Sequence, residues 1–248
     1  LGAFFGIGAL LVPLVVAVGF ERLSVAGTIA VCAAIAALCT MLCLALRFPA
    51  PQPSATFSFR KLIEAGGYPG IALLAILLFA QSGNEASLSG WVSSYVGSSG
   101  WSPRTATIIL LGYWVLAVVG RSASARAQAL LGKPRLVLFS GLAAVAGCLT
   151  LLVATGSLAV LTTGAWVSAL AFSAIFPTTL AMAGDRYPQA TGTVFGFLFA
   201  ISNLGSMLFP WAVGHVSQAA GLRLGMVIPL AGAVTVAACA ATAARRFR

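Results

Sequence analysis

The chain of 248 residues has a mean hydropathy of +1.04, with 60% hydrophobic and only 7% charged residues. So few polar side chains cannot cover a water-soluble surface, so the composition excludes a soluble fold and predicts an integral membrane protein. The formal net charge of +10 does not indicate a nucleic-acid partner, because the basic residues lie in short clusters between apolar runs.

Apolar runs of about 20 residues recur along the chain, and each is long enough to cross a hydrocarbon core of about 30 Å as a helix. The predicted fold is therefore all-α, a polytopic membrane bundle of about eight transmembrane helices. In chain order these cover residues 2–19, 24–46, 70–96, 105–120, 135–154, 158–183, 191–213 and 224–243.

The longest connection, 47–69, begins with Pro49, Pro51 and Pro53 and predicts a linker. Two helices, a long loop and six helices form the layout expected when four helices of a six-plus-six transporter lie outside the chain. We therefore assign 1–46 to the last two helices of an N-terminal half, 47–69 to a cytoplasmic linker and 70–248 to a C-terminal six-helix half. The bilayer and the missing N-terminal helices are the expected structural partners.

The basic residues predict the orientation, because loops rich in Lys and Arg stay in the cytoplasm. Eleven of the 14 Lys and Arg residues fall on one side of the predicted helices, the side of the linker and the C-terminus. Arg121 and Arg126 are counted there, in a predicted loop after residue 120. The pattern predicts a cytoplasmic C-terminus.

Glu85 is the one acidic residue well inside a predicted span, and an ionised carboxylate there costs several kcal/mol unless it is paired, hydrated or protonated. It is predicted to face the protein interior. A stripe of two amides, one leucine and two aromatic residues accompanies it at helical spacing: Gln81, Asn84, Leu88, Trp91 and Tyr95. Amides and aromatic faces suit a polyhydroxylated solute. The alternative is that Glu85 and Asn84 bond neighbouring helices.

Three further residues are candidates for the same solute site. Asn203 ends a stripe of small residues, Gly192, Gly196 and Ala200, at a depth of about 18 Å that is close to that of Gln81 and Asn84. Trp114 and Trp166 lie inside apolar runs and are candidates for lining a cavity. An interhelical bond is the alternative for Asn203, and packing is the alternative for both indoles. The predicted substrate-binding set is Gln81, Asn84, Glu85, Trp91, Trp114, Trp166 and Asn203.

Enzymatic chemistry has no support in the sequence. Nothing matches a nucleophile triad, a Walker loop or a haem ligand pair, and the five cysteines lie inside apolar runs without metal-ligand spacing. We therefore predict that the chain is not an enzyme and that it needs no cofactor or metal.

Four segments together resemble the major facilitator superfamily, and more narrowly its fucose permease-like branch of sugar:proton symporters. Residues 2–13 resemble a fifth helix, and 83–91, with Gly-x-Glu followed by Trp, resemble a seventh. Residues 176–180 resemble a tenth helix, and 191–211 resemble an eleventh. Two departures are Val12-Pro13 in place of Gly-Pro, and Gly120-Arg121, which opens the predicted loop without the usual acidic residue.

The resemblance implies a major facilitator fold that lacks its first four helices and exposes a solute alternately to each side of the membrane. It implies import of a carbohydrate or sugar-like solute with a proton as the coupling ion, in the bacterial cytoplasmic (inner) membrane. An efflux antiporter for drugs or metabolites is the alternative, with Glu85 as its acidic residue. A more distant alternative is a membrane scaffold or sensor that transports nothing.

Overall fold

The computed structural model describes residues 23–46, 68–154 and 156–246. Within them, seven helical segments are long and apolar enough to cross a membrane. These seven agree with the predicted spans from 24–46 onward, whereas the predicted helix at 2–19 and most of the linker at 47–69 lie outside the described residues. The chain separates into two compact units, Leu1–Phe57 and Ser58–Arg248, which are described in turn.

The described part of the first unit is a single helix, α1, at Val25–Ala45. It begins where the Ser24 hydroxyl accepts a hydrogen bond from the Gly27 amide at 3.2 Å, which satisfies one of the free N–H groups of the first turn. Its side chains are apolar on every side and most are exposed within the unit. A helix that is apolar all round is typical of a membrane span.

The second unit is a bundle of antiparallel helices joined by short connections. Gly132 and Gly221 end two of these helices with φ of 78° and 85°, a left-handed conformation that favours glycine. The last span is formed by two consecutive segments, α7 and α8. The helices are α2 at Tyr68–Ser98, α3 at Pro103–Leu131, α4 at Lys133–Val153, α5 at Leu158–Arg186, α6 at Thr191–Ala220, α7 at Leu222–Gly225 and α8 at Val227–Arg246.

Helix α2 lies at the centre of this bundle and packs against α3, α5, α6 and α8. The contact with α6 is close because Gly205 lies directly on the α2 backbone, where a Cβ atom would come within 2.0 Å of the Phe79 carbonyl oxygen. Gly147 and Gly164 allow a similar approach between α4 and α5. Small residues at helix crossings are the usual means of bringing membrane helices together, since dispersion contacts depend on short separations.

The structure corrects the prediction that a loop opens at Gly120-Arg121. Helix α3 continues to Leu131, about three turns beyond the predicted end at residue 120. Ser, Ala, Gln and Arg are all compatible with a helix interior, so the end of the apolar run is not the end of the helix. Arg121 and Arg126 are therefore helical residues, and Arg121 cannot be counted as a loop charge.

Candidate functional site

The predicted stripe on α2 is the face that packs into the bundle. Gln81, Asn84, Leu88 and Tyr95 are all buried by the neighbouring helices. The Tyr95 hydroxyl donates to the Leu151 carbonyl of α4 at 2.9 Å. These side chains therefore contribute to the contacts between helices within the unit.

Asn84 bonds to the backbone of α8. In the amide orientation that the surrounding groups require, Nδ2 donates to the Pro229 carbonyl at 3.0 Å and Oδ1 accepts from the Ala233 amide at 2.9 Å. Gly232 makes room, because a Cβ atom there would lie 2.3 Å from the Asn84 side chain. Both polar atoms of a fully buried amide are thus satisfied by one neighbouring helix, which favours the interhelical alternative for Asn84.

Two of the three predicted tryptophans, Trp91 and Trp166, also bridge helices through their indole N–H groups. Trp91 Nε1 donates to the Pro210 carbonyl of α6 at 3.1 Å. Trp166 Nε1 donates to the Ile109 carbonyl of α3 at 3.1 Å, and its ring lies on Gly112. Each side chain is only partly buried, so each indole also presents some surface outside the unit.

Glu85 forms an ion pair with Arg121 of α3. The Glu85 side chain is 15% exposed and that of Arg121 is 7% exposed, so the pair lies at the edge of the packed interior with the carboxylate on the more open side. A guanidinium stays charged under all ordinary conditions, and here it meets the requirement that a carboxylate in a membrane span be paired. The pair ties the middle of α2 to α3.

Gln81 completes this polar group. Its Nε2 atom donates to the Phe172 carbonyl of α5 at 2.9 Å and lies 3.4 Å from Glu85 Oε2. Its Oε1 atom is buried and has no hydrogen-bond partner among the described residues. The hydroxyl of Tyr113, on α3, is also buried without a hydrogen-bond partner among the described residues. It interacts electrostatically with both Glu85 and Arg121.

A second face of α2, next to Glu85, is partly exposed and polar. Ser82, Ser89 and Ser93 lie there, at helical spacing from one another. The Ser89 hydroxyl donates to the Glu85 carbonyl at 2.7 Å. The predicted site included the amide stripe but not this hydroxyl face.

Trp114 lies on the same face of α3 as Arg121, since the two residues are seven positions, or about two helical turns, apart. Its ring is partly exposed and meets Tyr113 edge to face at 5.8 Å between centroids. Trp114 is therefore the predicted aromatic residue that the structure aligns with the ion pair.

Asn203 is exposed on α6 and makes no hydrogen bond to any described residue. Gly192, Gly196 and Ala200 are exposed on the same side of the helix. The structure therefore separates Asn203 from Gln81 and Asn84, which are buried on another helix. The predicted common depth does not bring these three amides together within the described unit.

The sequence model of the Major Facilitator Superfamily matches residues 74–246, which is more than half of the chain. The chain belongs to the Major Facilitator Superfamily. A crystal structure of a superfamily transporter, FucP, in the outward conformation has a TM-score of 0.68 and is 20% identical in sequence. The match covers 88% of this chain and 54% of FucP, so the chain spans about half the length of that transporter. At this identity the likeness shows the fold. No curated protein sequence matches significantly.

Arg121, like the hydroxyl face of α2, belongs to the candidate site but was not predicted from the sequence. A usable signal was present: Glu85 needs a cation, and it lies 13 residues before the end of α2 while Arg121 lies 18 residues after the start of α3. In an antiparallel pair those positions differ in height by about 7 Å, which an arginine side chain can span.

Proposed function

We propose that the chain forms helices five to twelve of a secondary active transporter with two six-helix halves, which works by alternating access. Its solute is a sugar or a sugar-like compound, imported with a proton. The superfamily match, the fold and the resemblance to fucose permease-like motifs support this proposal. We place this complete transporter in the bacterial cytoplasmic membrane, with its C-terminus in the cytoplasm.

The observation that carries the proposal is the partly exposed ion pair of Glu85 and Arg121 inside the membrane-spanning region. The pair has no net charge, so a neutral solute can approach without bringing a counter-ion. The carboxylate oxygens of Glu85 accept hydrogen bonds from solute hydroxyls, and the guanidinium of Arg121 donates hydrogen bonds to solute hydroxyls. The Ser82 and Ser93 hydroxyls can both donate and accept. The exposed part of Trp114 supplies an aromatic surface for the C–H face of a sugar ring.

The same pair links proton binding to solute binding. Protonation of Glu85 would leave Arg121 as an uncompensated cation in a medium of low polarity, which is costly. Solute hydroxyls that accept hydrogen bonds from the guanidinium would reduce this cost. Proton and solute therefore favour each other's binding, and a coupling of this kind is reciprocal.

Glu85→Gln in the complete transporter tests the proposal. Because the amide cannot exchange a proton, we expect loss of solute accumulation driven by a pH gradient, while counterflow, which needs no net proton movement, is retained. Both are measured in proteoliposomes, with the yield of folded protein recorded. Asp185→Asn is the matched control, since Asp185 is an exposed carboxylate paired with Lys133 near the end of α5. Accumulation that survives Glu85→Gln would refute the proposed role of this carboxylate.

A further inference from the structure

Gln81 occupies a position that neither solute nor solvent can reach within the bundle. It is fully buried, one helical turn before Glu85, and its Nε2 atom contacts both the Glu85 carboxylate at 3.4 Å and the Phe172 carbonyl at 2.9 Å. One amide group therefore joins the charged pair on α2 and α3 to the backbone of α5.

The point of contact on α5 is a weak part of that helix. Pro177 has no N–H, so the Ser173 carbonyl, next to Phe172, lacks its usual helical donor. Side-chain hydroxyls also bond to the backbone nearby: Ser173 donates to the Leu170 carbonyl and Thr178 to the Ala174 carbonyl, both at 2.6 Å. A helix with an internal proline bends more readily there than elsewhere.

The Gln81 amide also has an unused acceptor. Its Oε1 atom is buried without a partner among the described residues, and a buried polar atom without a partner is costly. Ionised Glu85 offers acceptors alone, so Gln81 must turn its NH₂ group toward the carboxylate. Protonated Glu85 gains an O–H donor, for which the matching partner is the amide oxygen.

We propose that Gln81 is a positioning residue that transmits the protonation of Glu85 to the bend of α5 at Pro177. When Glu85 is ionised, the Gln81 NH₂ group bridges Glu85 and Phe172. When Glu85 is protonated, rotation of the amide lets Oε1 accept from the carboxyl group, and the bond to Phe172 is lost. Helix α5 is then released from α2 beside its proline. This inference rests on the proposed proton-coupled function of Glu85.

Other groups that could set the charge near Glu85 are few among the described residues. Arg121 and Tyr113 face it from α3. Apart from Cys239 within α8, the remaining charged or titratable residues of the helices packed against α2 lie toward the helix ends: Arg104, Arg126, Asp185, Arg186, His215, Arg245 and Arg246. Cys148, on α4, lies beyond Tyr113. Gln81 is the side chain that contacts both Glu85 and α5.

Gln81→Met in the complete transporter removes the bridge while keeping a side chain of similar length. We expect pH-driven accumulation to fall strongly and the pH dependence of uptake to flatten, while counterflow is retained, because Gln81 is fully buried and does not contact the solute. A purely structural role predicts instead that both activities fall together with an unaltered pH profile. That result would overturn the inference. If Gln81→Met gives no folded protein, Gln81→Asn, whose shorter amide cannot reach both partners, is measured in its place.

The double variant with Glu85→Gln separates the two proposals. If Gln81 acts through the protonation of Glu85, adding Gln81→Met to Glu85→Gln has no further effect on pH dependence. Counterflow, which Glu85→Gln retains, is the readout in both backgrounds. An equal fall in counterflow when Gln81→Met is added to the unchanged protein and to Glu85→Gln would overturn the inference and leave the role of Glu85 intact. Persistence of pH-driven accumulation in Glu85→Gln alone would refute the proposed function itself.

Discussion

Asn84 and Asn203 are the same residue type in similar sequence settings, yet the structure treats them differently. Asn84 is fully buried and exchanges two hydrogen bonds with the backbone of α8. Asn203 is exposed on α6 and bonds to no described residue. The difference is between the face of a helix that packs within the unit and the face that does not.

This comparison shows what a polar residue in an apolar run does and does not imply. Its hydrogen-bonding groups need partners in a membrane, because lipid tails offer none. The partner of Asn84 is already present in the bundle. Asn203 has no such partner within the second unit, so its partner comes from outside that unit: another part of the protein, a solute or water.

We expect the largest loss of stability when a charged side chain, rather than an amide, loses its partner. Arg121→Leu leaves Glu85 as an unpaired carboxylate in the bundle, and loss of one partner of a buried pair costs about 3–5 kcal/mol. The expected result is a large drop in the thermal unfolding midpoint of the purified protein in detergent.

The double variant Arg121→Leu with Glu85→Gln is the control for that prediction. It removes both charges, so it should recover most of the lost stability. A double variant as unstable as Arg121→Leu alone would show that the arginine stabilises the bundle through contacts other than its pair with Glu85.

Two glycines of α6 lie on different faces of the helix, Gly205 on the packed face and Gly196 on the exposed face. Their substitution should have an intermediate effect on stability. Gly205→Ala places a Cβ atom 2.0 Å from the Phe79 carbonyl, so the helices must separate, at a cost of up to about 3 kcal/mol. Gly196→Ala meets no described atom within 4 Å and should be neutral or slightly stabilising, since alanine favours helices. Unfolding in detergent measures both. A loss at Gly196 equal to that at Gly205 would show that the open face is tightly covered by something outside the described residues.

The spans of the fold were predictable because length and hydropathy are local properties of the sequence. Each described helix from 24–46 onward was predicted, since a run of about 20 apolar residues has few stable alternatives in a bilayer. The end of α3 was not predictable in this way. The helix leaves its apolar stretch at Gly120 without stopping, and hydropathy does not distinguish a helix that continues from a loop.

The candidate site was predictable only in part, because the direction in which a side chain points depends on its neighbours. The sequence identified Glu85 from the cost of an intramembrane charge. It could not show which side of α2 faces the other helices, since both the amide stripe and the Ser82, Ser89 and Ser93 face have helical spacing. Apolar residues surround both faces, so the pattern has no polar side that marks solvent.

The smallest effect separates the two asparagines directly. Asn84→Ala removes two hydrogen bonds to α8 and leaves a gap beside Gly232, so we expect a loss of about 1–2 kcal/mol in the free energy of unfolding. Part of the cost is offset because Pro229 and Ala233 are four residues apart and can bond to each other within α8.

Asn203→Ala removes no bond to a described residue and should change stability by less than about 0.5 kcal/mol. Unfolding by titration with a denaturing detergent measures both. Solute affinity then gives the opposite order if Asn203 faces the pathway, because Asn203→Ala would weaken binding and Asn84→Ala would not. Equal stability losses at the two positions would mean that Asn203 is also a packing residue, with its partner outside the described part of the chain.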